Sequence, residues 1–151
     1  MMTNKTVVIG NDHAGVSIKR ELVLLFAEAG YNVIDCGTDT VASVDYPDVA
    51  ARIAAAVKQN HCPGVAICGT GIGMSLALNK YPGIRCALCH DEFTARLARE
   101  HNDANILAMG ARVLGSDLMK SMAHIFFNTD FSAGRHQNRL DKIALIESER
   151  Y

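Results

Sequence analysis

Neither sign of charge dominates this sequence. Fifteen Lys and Arg stand against 16 Asp and Glu, for a formal net charge of −1, and no basic cluster runs along the chain. That argues against a nucleic acid as partner. No apolar run approaches the roughly 20 residues that a bilayer-spanning helix needs, so no membrane partner is expected. Met1-Met2-Thr3-Asn4-Lys5 leads directly into the strand-like Val7-Val8-Ile9 without the apolar stretch of a signal peptide, and the expected location is cytoplasmic. The 5 cysteines are an odd number at irregular spacing, which is no disulfide framework; a reducing compartment keeps them as thiols. No His/Cys/Asp/Glu spacing of the His-Glu-x-x-His kind is present, so no metal site is expected. No repeat, linker or low-complexity segment divides the chain, and 151 residues, 49% of them apolar, suit one domain over 1–151 with a sizeable core.

What is present is a regular alternation. Thr6 to Gly10, Tyr31 to Asp35, Gly64 to Cys68, Ile84 to Cys89 and Asn105 to Met109 read as buried strands. Between them lie helical patterns: Val16 to Ala29, with Ile18, Leu22, Leu25 and Phe26 at helical spacing; a segment from Pro47, well suited to a first turn, to Gln59; Met74 to Asn79; and Asp91 to Glu100. Ser116 to Phe127, with Ser116 as cap, and Gln137 to Glu149 follow as further helices. Five successive βα units predict a three-layer αβα, Rossmann-like α/β fold with a five-stranded parallel sheet and a C-terminal helix. Ligands of such sheets bind at the C-terminal strand ends. Asp12 and His13, Cys68, His90 and Asp91, and Arg112 all fall there.

The most informative segment is Val65-Ala66-Ile67-Cys68-Gly69-Thr70-Gly71-Ile72-Gly73-Met74-Ser75. A buried strand ends in a cysteine, and glycines at every second position follow. Such a loop can turn its N–H groups inward as an anion cradle, and a helix starting nearby favours a thiolate. The glycine spacing is not that of a dinucleotide fingerprint, and it follows the third strand rather than the first. Gly10-Asn11-Asp12-His13-Ala14-Gly15 lacks the Lys-Ser/Thr of a phosphate loop. Cys86-Ala87-Leu88-Cys89-His90 matches a haem-attachment pattern only formally, because it lies in a predicted buried strand. Cys36, Cys62, Cys86 and Cys89 read as small fillers or inert thiols. His101-Asn102-Asp103 reads either as a site or as a helix end and turn. Arg135 and Arg139, four apart, share one face of a helical turn and suit a phosphate, or else form a solvated pair.

Taken in order, these motifs resemble the ribose-5-phosphate isomerase B family, with its related allose-6-phosphate and galactose-6-phosphate isomerases. The resemblance rests on Gly10 to Gly15, Asp45-Tyr46-Pro47, Cys68 to Gly73, Asn79-Lys80 and Gly83-Ile84-Arg85. It continues through His101-Asn102-Asp103, Gly110-Ala111-Arg112-Val113 and Gly134-Arg135-His136-Gln137-Asn138-Arg139, and so spans nearly the whole chain. It implies a homodimer, or a dimer of dimers, with sites at the subunit interface and exchange of an aldose phosphate with its ketose. It puts the proton-transferring base on Cys68 and the ring-opening acid on His101. Asp12, His13 and Tyr46 fall on sugar-binding positions, and Gly69, Thr70, Gly71, Ile72 and Gly73 on the loop that holds the enediolate. Asn102, Arg112, Arg135 and Arg139 fall on substrate and phosphate contacts. Some members carry a Glu base further along the loop; here that region reads Met74-Ser75-Leu76, so the Cys version fits.

The chemistry agrees. Aldose–ketose exchange needs one base to move a carbon-bound proton and donors aimed at the enediolate oxygens. Opening a cyclic sugar needs a separate acid, a role His suits near neutral pH. No metal or organic cofactor is required, and none is expected. The expected substrate pair is ribose 5-phosphate and ribulose 5-phosphate, with allose 6-phosphate or galactose 6-phosphate as the alternative. A non-catalytic phosphosugar- or nucleotide-binding protein would not need the thiol at Cys68. A thiol phosphatase would carry Arg where Met74 stands.

Overall fold

In the computed structural model, which describes residues 5–149, strands and helices alternate as the hydrophobic pattern predicts. The order is β1 (Thr6–Asn11), α1 (Val16–Glu28), β2 (Asn32–Asp35), α2 (Tyr46–Asn60), β3 (Gly64–Cys68) and α3 (Ile72–Leu78). β4 (Cys86–Leu88), α4 (Glu92–Glu100), β5 (Ile106–Gly110), α5 (Ser116–Phe127) and α6 (Arg135–Ser148) follow. All neighbouring strands pair in parallel, in the order β2-β1-β3-β5-β4.

Strand side chains alternate between two cores, as a two-residue period requires. Val7 and Ile9 of β1, Val65 and Ile67 of β3, and Leu107 and Met109 of β5 pack with Leu22 and Phe26 of α1, Ala95 of α4 and Met122 of α5. Val8, Ala66, Cys68, Ile106 and Ala108 point the other way, onto Val49 and Ile53 of α2 and Met74 and Leu78 of α3. Burying each large aliphatic side chain contributes about 1.5–3 kcal/mol. The two cores thus make the three layers, and Cys68 belongs to the α2/α3 side.

Local signals account for two helix starts. Pro47 sits in the first turn of α2, and Asp91 caps α4 by accepting from the Thr94 N–H. Two expectations are corrected. Ser116 is the first residue of α5 rather than its cap: Gly115 holds the cap position, without a side-chain hydrogen bond. β4 is shorter than Ile84 to Cys89, because side chains replace the ladder at its start. Asn105 Oδ1 accepts from the Arg85 N–H at 2.8 Å, and Asn79 both accepts from the Cys86 N–H at 2.8 Å and donates to its carbonyl at 2.9 Å. α6 lies along this edge, where Leu140, Ile143 and Ile146 line a groove with Ile84, Cys86 and Ala87. Among the described residues no helix is long and apolar enough to cross a membrane.

Candidate active site

Cys68 ends β3 and is only 4% exposed. The chain turns sharply after it. Gly71, at φ +80°, adopts a left-handed conformation that a side chain would strain, and its N–H donates to Cys68 Sγ at 3.2 Å. A backbone dipole is therefore aimed at the sulfur. The Ile72 N–H donates to Thr70 Oγ1 at 3.3 Å. The start of the loop is held from β5: Ala111 N–H donates to the Cys68 carbonyl and Arg112 N–H to the Gly69 carbonyl, both at 2.9 Å. Arg112 thereby lies over Gly69, where a Cβ would come within 3.2 Å of its Nη1.

The end of β1 stands beside this loop. The Asp12 N–H donates to the Ile67 carbonyl at 3.0 Å. Asp12 Oδ1 accepts from the Ala14 N–H at 2.9 Å and so caps a 3₁₀ turn over His13–Gly15. His13 Nδ1 accepts from the Val44 N–H at 3.3 Å. Tyr46 opens α2 and lays its ring on Gly73, so closely that a Cβ there would sit 2.6 Å from the ring. Asp12, His13, Tyr46, Cys68, Gly69 to Gly73 and Arg112 therefore gather at the C-terminal edge of the sheet.

The other predicted residues gather elsewhere. His101 caps the C-terminus of α4, and Asp103, at φ +41°, turns the chain toward β5. Asn105, four residues after His101, accepts at its carbonyl from the N–H of Gly64, the first residue of β3. His101 is thus at the N-terminal edge. Its ring stacks on His136 of α6, with centroids 4.1 Å apart and planes 12° from parallel. Arg135 and Arg139 flank His136 in the first turns of α6, which begins two residues earlier than the pattern suggests; Arg139 Nη1 donates to the Arg135 carbonyl at 2.9 Å. Desolvation, then the neighbouring His101, Arg135 and Arg139, hold His136 below the usual imidazole range. Asn102 is exposed beside this group, its carbonyl accepting from Arg85 Nε at 3.1 Å. The helix-end reading of His101 to Asp103 is correct as local structure, and His101 nonetheless joins a cluster with α6.

The remaining thiols behave as fillers. Burial, then the neighbouring Cys89 and Cys68, push Cys86 up to about 12. Burial pushes Cys89 up to about 11, and it raises Cys36 and Cys62 as well. The haem-like pattern divides between the half-buried edge strand β4, which ends at Leu88, and the turn after it, where His90 is exposed. Among the described residues no group of three or more His, Cys, Asp or Glu is disposed to hold a metal ion. Sequence reasoning missed two features. His136 sits inside a quoted motif without a role of its own. Lys19, 1% exposed, is buried in α1; its signal is a lysine on the apolar stripe of Val16, Val23 and Phe26.

Known proteins are similar to this chain in sequence and fold. The Escherichia coli (strain K12) protein named ribose-5-phosphate isomerase B is 42% identical over 147 residues, covering 97% of this chain and 99% of its own. A Pectobacterium atrosepticum protein named D-erythrulose-4-phosphate isomerase is 37% identical over 146 residues, covering 95% of this chain and 96% of its own. A solved structure of Clostridium thermocellum ribose-5-phosphate isomerase B superposes with a TM-score of 0.93 at 48% identity, over 95% of this chain and 98% of that one. The family described as ribose/galactose isomerase matches residues 7–143, so the order of motifs, the fold and the whole-length relatives agree: this chain belongs to the ribose/galactose isomerase family.

Proposed function

We propose that this protein interconverts ribose 5-phosphate and ribulose 5-phosphate through an enediolate, with Cys68 as the base, at sites that two copies of the chain complete together. The observation that carries this reading is the buried thiol at the end of β3, held by the Gly71 N–H inside a glycine loop. A binding module has no use for that constellation. The names of the Escherichia coli and Clostridium thermocellum relatives support the five-carbon substrate.

The steps balance without a cofactor. His101 of the second copy donates a proton to the ring oxygen as its bond to C1 breaks, and the C1 hydroxyl gives its proton to water, from which the imidazole is reprotonated, leaving the open aldose. The Cys68 thiolate takes the proton on C2 of the open aldose. The released electron pair forms the C1–C2 double bond, and the carbonyl oxygen at C1 becomes the enediolate oxygen. N–H groups of the loop from Gly69 to Gly73 are the donors for that charge. Cys68 returns its proton to C1 as the hydroxyl proton at C2 passes to the enediolate oxygen at C1, leaving a carbonyl at C2 and a hydroxyl at C1. Asp12, His13, Tyr46 and Asn102 hold the sugar hydroxyls, and Arg112, Arg135 and Arg139 hold the phosphate. Phosphate binding far from C1 and C2 supplies orientation.

The same separation supports a homodimer. Ile72 and Leu76, one turn apart on α3 and 51% and 62% exposed, and Ile143 and Ile146 on α6, 45% and 69% exposed, offer apolar surface for a second copy. The Pectobacterium relative supports a second reading, a different chain length of sugar phosphate. One assay separates them: isomerisation of ribose 5-phosphate, allose 6-phosphate, galactose 6-phosphate and erythrulose 4-phosphate, side by side. The highest kcat/KM is expected for ribose 5-phosphate. A higher value for another sugar would reassign the substrate, and no turnover of any would reduce the protein to a binder.

A further inference from the structure

Among the described residues three polar or charged side chains are buried, Asn11, Asp12 and Lys19, at 0%, 6% and 1% exposure. All three belong to one network at the end of β1. A buried lysine is rare unless paired, because removing an ammonium from water costs several kcal/mol. Lys19 Nζ donates to Asp35 Oδ2 at 2.8 Å, at the end of β2, and to Asp39 Oδ1 at 2.6 Å, in the segment that follows. Burial works against the Lys19 charge, but the hydrogen bonds of Asp35 and Asp39 outweigh it and raise its pKa.

The network holds a path rather than a point. Asp35 Oδ1 accepts from the Gly37 N–H at 2.9 Å. Asn11 Nδ2 donates to the carbonyls of Asp12 and Thr38, at 2.8 and 3.0 Å, and the Thr38 N–H donates to the Asn11 carbonyl at 3.3 Å. Residues 36–39 are thus tied to β1 and α1 together. Five residues beyond Asp39, the Val44 N–H meets His13 Nδ1, and two residues later Tyr46 meets Gly73. A ring nitrogen that accepts a hydrogen bond carries no proton, so the neutral His13 ring is the Nε2–H tautomer.

We propose that Lys19 is a positioning residue: through Asp39 it anchors the 36–45 segment, whose Val44 N–H fixes His13 as an Nε2–H donor and whose end sets Tyr46 against the glycine loop. The inference rests on the reading of His13 and Tyr46 as sugar-binding residues. It assigns a function to a buried charge that hydrophobic packing alone would have replaced.

The test uses Asp39→Asn, because the Asp39 side chain is 76% exposed and its loss leaves the core intact, together with Lys19→Met. Nitrogen-15 spectra of the imidazoles in the free protein report the His13 tautomer. Steady-state kinetics report KM and kcat for ribose 5-phosphate. In Asp39→Asn the His13 Nδ1 and Nε2 shifts are expected to converge toward a tautomer mixture. KM is expected to rise about tenfold while kcat falls no more than about threefold, the split of lost ground-state positioning. Asp39→Glu, which keeps a carboxylate within reach of Lys19, is expected to recover most of both. A His13 spectrum unchanged in both Asp39→Asn and Lys19→Met overturns the proposal, whatever happens to Tm. So does a KM change that Asp39→Glu does not reverse. The tautomer readout needs no substrate, so a wild-type protein that isomerises no sugar would defeat the proposed function while leaving the anchoring of His13 decided by the spectra.

Discussion

Cys68 and His101 stand at opposite edges of one sheet. Cys68 closes β3 at its C-terminal end, and His101 ends α4 at the level of the residues that pair with the start of β3. Four residues of extended chain, about 13 Å, separate those edges. The proposal that two copies of the chain complete each site rests on this separation: in a symmetric pair the thiol of one copy would work with the imidazole of the other.

Mixed dimers test this directly. Cys68→Ala and His101→Asn are each expected to be nearly inactive. Refolding an equal mixture makes about half the dimers mixed, and each mixed dimer has one site with both lesions and one with neither. Recovered activity is expected to approach about a quarter of wild type under that symmetry. Mixed dimers seen by native mass spectrometry without recovered activity would put both residues in one subunit's site.

Cys68→Ala is expected to abolish exchange of the C2 proton with solvent deuterium while ribose 5-phosphate still binds. Cys86 and Cys89, at about 12 and about 11, stay protonated across neutral pH. Cys86→Ala and Cys89→Ala are therefore expected to leave the pH profile of kcat/KM unmoved, at some cost in Tm. A shifted profile in either control would show that more than one thiol titrates in the reaction.

Arg135→Ala and Arg139→Ala are each expected to lower kcat/KM by about 1.5–3 kcal/mol, the range of a charge-assisted hydrogen bond. With unphosphorylated ribose the penalty is expected to vanish. Equal losses with both sugars would make the two arginines structural.

His136 carries a pH signature. Its folded pKa is lowered, so its contribution to stability is complete above the usual imidazole value of 6.5 and is lost as pH falls through the lowered value. Relative to His136→Asn, the wild type is expected to lose urea resistance between pH 7.5 and pH 5. A difference between the two proteins that stays constant over that range would rule out the linkage.

Much of the candidate site is legible in the sequence. The apolar run into Cys68, the alternating glycines after it and the four-residue spacing of Arg135 and Arg139 are local patterns, and they stand in the structure as a strand end, a turn at Gly71 and the first turns of a helix. What stayed hidden was partnership. His136 is 35 positions from His101 in the sequence, and nothing between them announces that the rings stack. Lys19 and Asp39 are 20 residues apart, and Val44 and His13 are 31 apart.

The sequence by itself determined the elements. β3 and α5 occupy the predicted residues, because strand and helix periods are set by neighbours two to four positions away. Only the tertiary structure decided that β5 inserts between β3 and β4, that β4 shrinks to three residues under Asn79 and Asn105, and that a lysine is buried against two aspartates. Those outcomes depend on contacts between segments far apart in the chain. Their free energies come from packing and desolvation at the place where the segments meet, and a local pattern carries no record of that place.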